Sequence, residues 1–263
     1  MPNVKKILTV VVSAALAVVG TVLLIPKADA VVGGREAAQP YPWLVNLTLS
    51  VPDEGDMHVC GATLISDRWA VTGGHCVTGL PAELMVVRVG SNDRTKGGEV
   101  RGVRRLVPHP SFFQSPDGTK VVADIGLVEL DAPVKAQPIR IARTAPAPGT
   151  PTRIIGWGAI CAEEVPACDE NPVLVRELNT RISPARGCKD IARASELCTG
   201  GKGAGACHGD SGGPQVRATG PGRWELVGLT SRLADQKTTC ATVPSIYTST
   251  AAYARWITRT IKQ

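Results

Sequence analysis

The sequence predicts an all-β fold finished by a single C-terminal α-helix. Three observations carry this reading. From Val31 onward the chain is a series of short β-prone runs broken by Gly, Pro, Asn and Asp, the spacing of a sandwich or barrel. Long helical periodicity appears only at the end, where Tyr253, Trp256, Ile257 and Ile261 fall on one helical face. All eight cysteines lie beyond residue 30, behind a segment that reads as an export signal, so four disulfides are expected rather than metal ligands or redox thiols.

That first segment has Lys5 and Lys6 as a positive start, then a mostly apolar run from Ile7 to Ile25. Pro26 breaks any helix, and Ala28-Asp29-Ala30 has the small-x-small form of a signal-peptidase site. The expectation is a signal peptide over 1–30, cut after Ala30, and a secreted mature chain. The rival is an uncleaved anchor, because the apolar run is long. Cleavage removes three Lys and one Asp, so the net charge falls from +6 to +4. With 29 Lys and Arg against 23 Asp and Glu and no run of like charge, a nucleic-acid surface is not indicated. No membrane contact is expected once the signal is removed.

The β-prone runs include Leu44–Leu49, Leu84–Val89, Ile125–Leu130, Arg153–Ile155 and Glu225–Leu229. At 43% hydrophobic residues the 263-residue chain can bury a sizeable core, as one large domain or two small ones. Between Ala132 and Pro151 stand five prolines, which read as an extended connector between two halves. No internal repeat is evident.

The most specific segment is Cys207-His208-Gly209-Asp210-Ser211-Gly212-Gly213-Pro214. A serine hydroxyl needs a base to become a nucleophile, and its tetrahedral intermediate needs donors aimed at the new oxyanion. Gly209 suits the tight turn that presents such donors, and the N–H groups of Gly209 and Ser211 are the candidates. Two weaker segments are Thr72-Gly73-Gly74-His75-Cys76 and Asp124-Ile125-Gly126-Leu127. Alone, each reads as structural. Together, in the order His, Asp, Ser, they supply a base and the buried carboxylate that fixes its tautomer.

With these segments in view, the chain resembles the chymotrypsin/trypsin-like serine peptidases, in the style of secreted actinobacterial members, over essentially all of residues 31–263. Val31-Val32-Gly33-Gly34, Gly61–Ile65, Trp69–Thr72, His109-Pro110, Gly156-Trp157-Gly158 and Ser245–Thr248 also fall at family-like places. The resemblance implies two packed antiparallel six-stranded β-barrels with the active site between them. They would span about 31–135 and about 150–250, with the helix at about 251–262. It implies Ser211 as nucleophile, His75 as general base and Asp124 as its orienter. It pairs Cys60 with Cys76, Cys188 with Cys198, and Cys207 with Cys240, leaving Cys161 to close a short loop with Cys168. Each link would stabilise the domain by about 2–4 kcal/mol.

The resemblance also implies activation by a freed N-terminal ammonium at Val31, which pairs with buried Asp210. The usual Lys or Arg before that terminus is Ala30 here, so signal removal itself would create the ammonium. It places the pocket floor at Gly205, beside Ala206, with Ser231, Arg232 and Leu233 on the opposite wall and Ser245 and His208 nearby. Without an acid at Gly205, cleavage after Lys or Arg is not expected as the main activity. Leu233 in place of the usual glycine would narrow the pocket toward small or medium apolar side chains. Asp235 at the rim would instead favour a basic side chain, and Arg232 with His208 an acidic one. Gly73, Gly74 and Gly126 stand where alanine is usual, and some loss of rigidity is expected there.

Two other classes compete: an inactive peptidase-like binding protein, and a serine esterase. Esterases place the histidine last in the chain, whereas His75 precedes Ser211 and no histidine follows His208. No metal or organic cofactor is implied. Protein or peptide substrates and protein inhibitors are the expected partners, and a monomer is the expected state.

Overall fold

The computed structural model describes residues 31–53, 55–162, 172–235 and 238–263. The expected signal peptide and Cys168, with its pairing to Cys161, lie outside these residues.

The first barrel is closed. Its strands are β2 (Leu44–Val51), β3 (Gly55–Leu64), β4 (Trp69–Thr72), β5 (Met85–Val89), β6 (Glu99–Pro108) and β9 (Gly126–Leu130), in the order β2-β3-β4-β9-β6-β5. In β5 the period of two is plain: Met85, Val87 and Val89 are buried, while Val86 and Arg88 are partly exposed. Leu44, Leu47, Leu64, Leu127 and Leu130 complete the interior. Each such leucine contributes roughly 1.5–3 kcal/mol on burial.

The second barrel is built from β11 (Pro151–Gly156), β12 (Arg176–Ser183), β13 (Glu196–Thr199), β14 (Pro214–Gly220), β15 (Arg223–Leu233) and β16 (Ser245–Ser249). They run in the order β12-β11-β14-β15-β16-β13, and pairing of Ile182 with Thr199 and Ser183 with Cys198 returns β13 to β12. The fold is thus the two six-stranded barrels expected from the sequence. A short hairpin of β7 (Phe113–Gln114) and β8 (Val121–Val122) stands between β6 and β9.

Two segments cross between halves. β1 (Arg35–Glu36) pairs with β12 of the second barrel, although residues from 31 were expected with the first. A buried carboxylate explains the docking: Glu177 takes Arg35 at 2.8 Å, Arg153 at 3.0 Å and the Tyr41 hydroxyl. Burial and Glu177 push the Tyr41 hydroxyl up to about 12, so it stays a donor. In the Pro-rich connector, β10 (Arg140–Ile141) adds to β15 in parallel. The helix α1 (Ala254–Thr260) is too short to persist by propensity alone. Ile257 is buried in the core, and Tyr253 and Trp256 meet His109 of the first half edge-on at 5.1 and 4.8 Å.

Three expected disulfides are present: Cys60–Cys76, Cys188–Cys198 and Cys207–Cys240. The first ties β3 to the turn after β4. The third ties the Ser211 loop to the segment before β16.

Candidate active site

The three expected catalytic side chains come from three different turns and converge on one cleft of about 210 Å³. His75 sits in the turn after β4, where the Cys76 N–H donates to the Gly73 carbonyl at 3.2 Å. Space explains the glycines here. A Cβ on Gly73 would lie 2.9 Å from the His75 ring, and one on Gly74 would lie 2.7 Å from the Phe112 ring. Alanine does not fit either place without displacing the neighbouring ring.

Asp124 lies two residues before β9 rather than at its first position, and its side chain is 1% exposed. The carboxylate is fully engaged. Oδ1 accepts the His75 backbone N–H at 3.0 Å, His75 Nδ1 lies 2.9 Å from Oδ2, and the Ser231 hydroxyl donates to Oδ2 at 2.6 Å. Thr248 donates to the Asp124 carbonyl at 2.8 Å. Burial raises the Asp124 carboxyl, but His75 and these donors outweigh it and hold it below the usual carboxylate range. For His75, burial works against protonation, yet the Asp124 charge and hydrogen bond win and lift it above the usual histidine value. Nδ1 faces the carboxylate, and Nε2 lies 3.4 Å from Cys76 Sγ.

Ser211 stands on the opposite barrel and lines the same cleft. Its carbonyl accepts the Gly61 N–H from β3 at 2.8 Å, and the Gly212 N–H reaches the Thr230 carbonyl at 2.8 Å. These bonds fix the serine turn against both barrels. Gly209 has φ +90°, a left-handed conformation that favours glycine. Among the described residues, neither the Gly209 nor the Ser211 N–H is spent on an internal hydrogen bond, as an oxyanion site requires.

The sequence missed His58. It reaches across from β3, and its Nε2 meets the Gly209 carbonyl at 2.9 Å, while Nδ1 meets the Asn46 side chain. Burial, aided by Arg94, keeps His58 below the usual histidine value despite the Gly209 bond. It buttresses the turn that carries Gly209. No local pattern marks it, since its partner is 151 positions away.

Asp210 is buried, with the Gly158 and Cys207 N–H groups on its two oxygens at 2.9 Å each. Burial pushes it up to about 7 against the pull of these two donors. Val31 is also buried, packed beside Ala206 and Tyr247.

Of the expected pocket residues, Ala206, His208, Ser231, Arg232, Leu233 and Ser245 line the cleft, joined by Gln114 and Val121 of the hairpin. Gly205 lies beside them: its N–H bonds the Val32 carbonyl at 3.0 Å, and a Cβ there would come 3.9 Å from Ser245 Oγ. Ser231 has the further task on Asp124 just described. Arg232 does not face solvent: within the cleft wall it forms a bidentate pair with Glu196. Two trios could in principle hold a metal, Cys60-His75-Cys76 and Cys207-His208-Cys240, but their sulfurs are joined in disulfides.

A carboxylate-bound histidine and a serine lining one cleft, on a frame of two antiparallel barrels, are the features of a serine hydrolase of the two-barrel class. Comparison with known proteins narrows this. The Trypsin family profile matches residues 31–257. Human serine protease 56 is 31% identical over 254 residues, which is 89% of this chain and 39% of that protein. Mouse serine protease 56 is 33% identical over 76% of this chain and 34% of its own length. The trypsin of Sarcophaga bullata is 30% identical over 78% of this chain and 80% of its own. The chain therefore spans just over a third of the two mammalian relatives and most of the insect one. It belongs to the trypsin family, a family of serine-type endopeptidases.

Proposed function

We propose that this chain is a secreted serine endopeptidase, of the actinobacterial style its sequence suggests, that cuts proteins through an acyl-enzyme on Ser211. The observation that carries the proposal is His75, held by Asp124 through Nδ1 at 2.9 Å, lining one cleft with Ser211. His75 Nε2 takes the Ser211 proton as Oγ attacks the scissile carbonyl, and then gives it to the leaving amine. Water repeats the sequence to free the acyl group. Asp124 stays ionised throughout and stabilises the imidazolium. The N–H groups of Gly209 and Ser211 receive the oxyanion.

The same proposal covers activation and selectivity. Signal removal after Ala30 leaves a Val31 ammonium, the natural partner for a buried carboxylate at Asp210. Among the described residues no helix is long and apolar enough to cross a membrane. The wall residues Ala206 and Leu233 favour a small or medium apolar side chain before the cut, and Lys or Arg meets no acid at Gly205. Protein inhibitors and a monomeric state belong to the same reading.

The test is digestion of a mixed peptide library by the secreted protein, with Ser211→Ala as control. Cleavage by the parent alone, after small or medium apolar residues, is the expected result. Cleavage after Lys or Arg overturns the pocket assignment, and no cleavage by a chain starting at Val31 overturns the enzyme.

A further inference from the structure

The cleft wall carries a charged pair that the catalytic reading does not use. Arg232 follows Ser231 on β15 and lines the cleft beside Ser211 and Leu233. A register shift between Thr230 and Arg232 interrupts the pairing of β15 with β16, and such irregularities re-aim side chains. Here the guanidinium is turned onto Glu196 of β13. Nη1 meets Oε1 at 2.6 Å and Nη2 meets Oε2 at 3.1 Å. The two side chains are 7% and 6% exposed. Glu196 Oε2 also accepts the Ala192 N–H at 2.7 Å, so the carboxylate is anchored on both sides.

An ion pair this buried is a weak source of stability, because desolvation offsets most of the attraction. Its chemical effect on the cleft is clearer. A peptide occupying this cleft would lie within reach of Arg232, and a lone guanidinium there would draw acidic side chains. A lone Glu196 would draw basic ones. Paired, they cancel, and the wall presents an aliphatic stem and backbone.

We propose that the Arg232–Glu196 pair sets the charge selectivity of this cleft, restricting it to substrates with uncharged residues on the acyl side of the cut. This rests on the peptidase reading above. Breaking the pair from either side gives opposite outcomes. Glu196→Gln frees the guanidinium and shifts preference toward peptides with Glu on the acyl side. Arg232→Gln frees the carboxylate and shifts preference toward Lys. The double variant restores the parental preference. Each single shift is expected at about tenfold relative to a matched neutral peptide, the size of one charge-assisted contact.

The experiment compares three peptides that differ only by Glu, Gln or Lys at one acyl-side position. They are tested against the parent, both single variants and the double variant, each starting at Val31. Two readouts are taken: kcat/KM, and Kd for the same proteins carrying Ser211→Ala. Opposite shifts in the two single variants, abolished in the double, are the expected result. Equal losses for all three peptides, or shifts of the same sign, overturn the proposal. If Glu196→Gln fails to fold, Arg232→Gln and the double variant still decide, since a Lys preference in the first must vanish in the second. Absence of cleavage by the parent would fall on the peptidase reading alone, because the Kd ratios test the pair without turnover.

Discussion

Ser231 Oγ donates a 2.6 Å hydrogen bond to Oδ2 of Asp124, on the carboxylate edge that His75 also engages. The carboxylate therefore has little freedom to rotate, and its charge stays aimed at the imidazole. That charge lifts His75 above its ordinary value against the effect of burial. A base must be neutral to work, so kcat/KM should rise with pH through a midpoint above about 6.5. In Asp124→Asn the attraction is gone while burial remains, so the midpoint should move below that value. Turnover should fall by about 10⁴, a magnitude carried over from this family's well-studied members. A pH profile of kcat/KM for both proteins checks this, and an unmoved midpoint would show that Asp124 does not control the base.

The proposed catalytic trio was legible because each member sits in a short local pattern: the Cys207–Pro214 string, the Thr72–Cys76 turn, and an aspartate just before an apolar run. The all-β class was legible from short β-prone runs such as Leu84–Val89, the two barrels only from the family resemblance, and the helix from its single apolar face. What the sequence did not disclose is held by long-range contacts. β1 has two residues, too few to show a period, and its place follows from Glu177, 142 positions beyond Arg35. Arg232 and Glu196 lie 36 positions apart, and no spacing rule joins an arginine before a loop to a glutamate opening another strand. The Phe112 ring that crowds Gly74 lies 38 positions further on, which no local pattern could show.

His58 and Gly209 give a second prediction. The 2.9 Å contact to the Gly209 carbonyl holds the peptide whose neighbouring N–H groups are the proposed oxyanion donors. His58 touches no substrate, so it is a positioning residue. His58→Ala should lower kcat by about tenfold, less than the roughly 10²–10³ for loss of an oxyanion donor itself, with KM nearly unchanged. His58→Gln retains a donor near Nε2 and should recover part of the loss. A merely structural role predicts a lower melting temperature with normal kcat for the folded fraction, which active-site titration would reveal.

Asp210 supplies the last prediction, through its coupling to Val31. In a chain that continues ahead of Val31, that nitrogen is a peptide and carries no charge. Burial then pushes Asp210 up to about 7 from an ordinary value of 3.8. The folded state holds this proton more tightly than the unfolded state does. Its contribution is thus fully present below about pH 4 and is lost as pH rises through about 7. A chain starting at Val31 has an ammonium to pair with the carboxylate, which pulls Asp210 down and removes that loss. Its own weak point lies higher, where the α-amino group, ordinarily near about 8, gives up its proton. Both forms can be made as Ser211→Ala to prevent self-digestion, and their melting temperatures compared at pH 5 and 7.5. The extended form should lose stability between these values and the Val31 form should not. Equal pH slopes would mean that Val31 and Asp210 do not meet, and that removal of residues 1–30 does not by itself assemble the site.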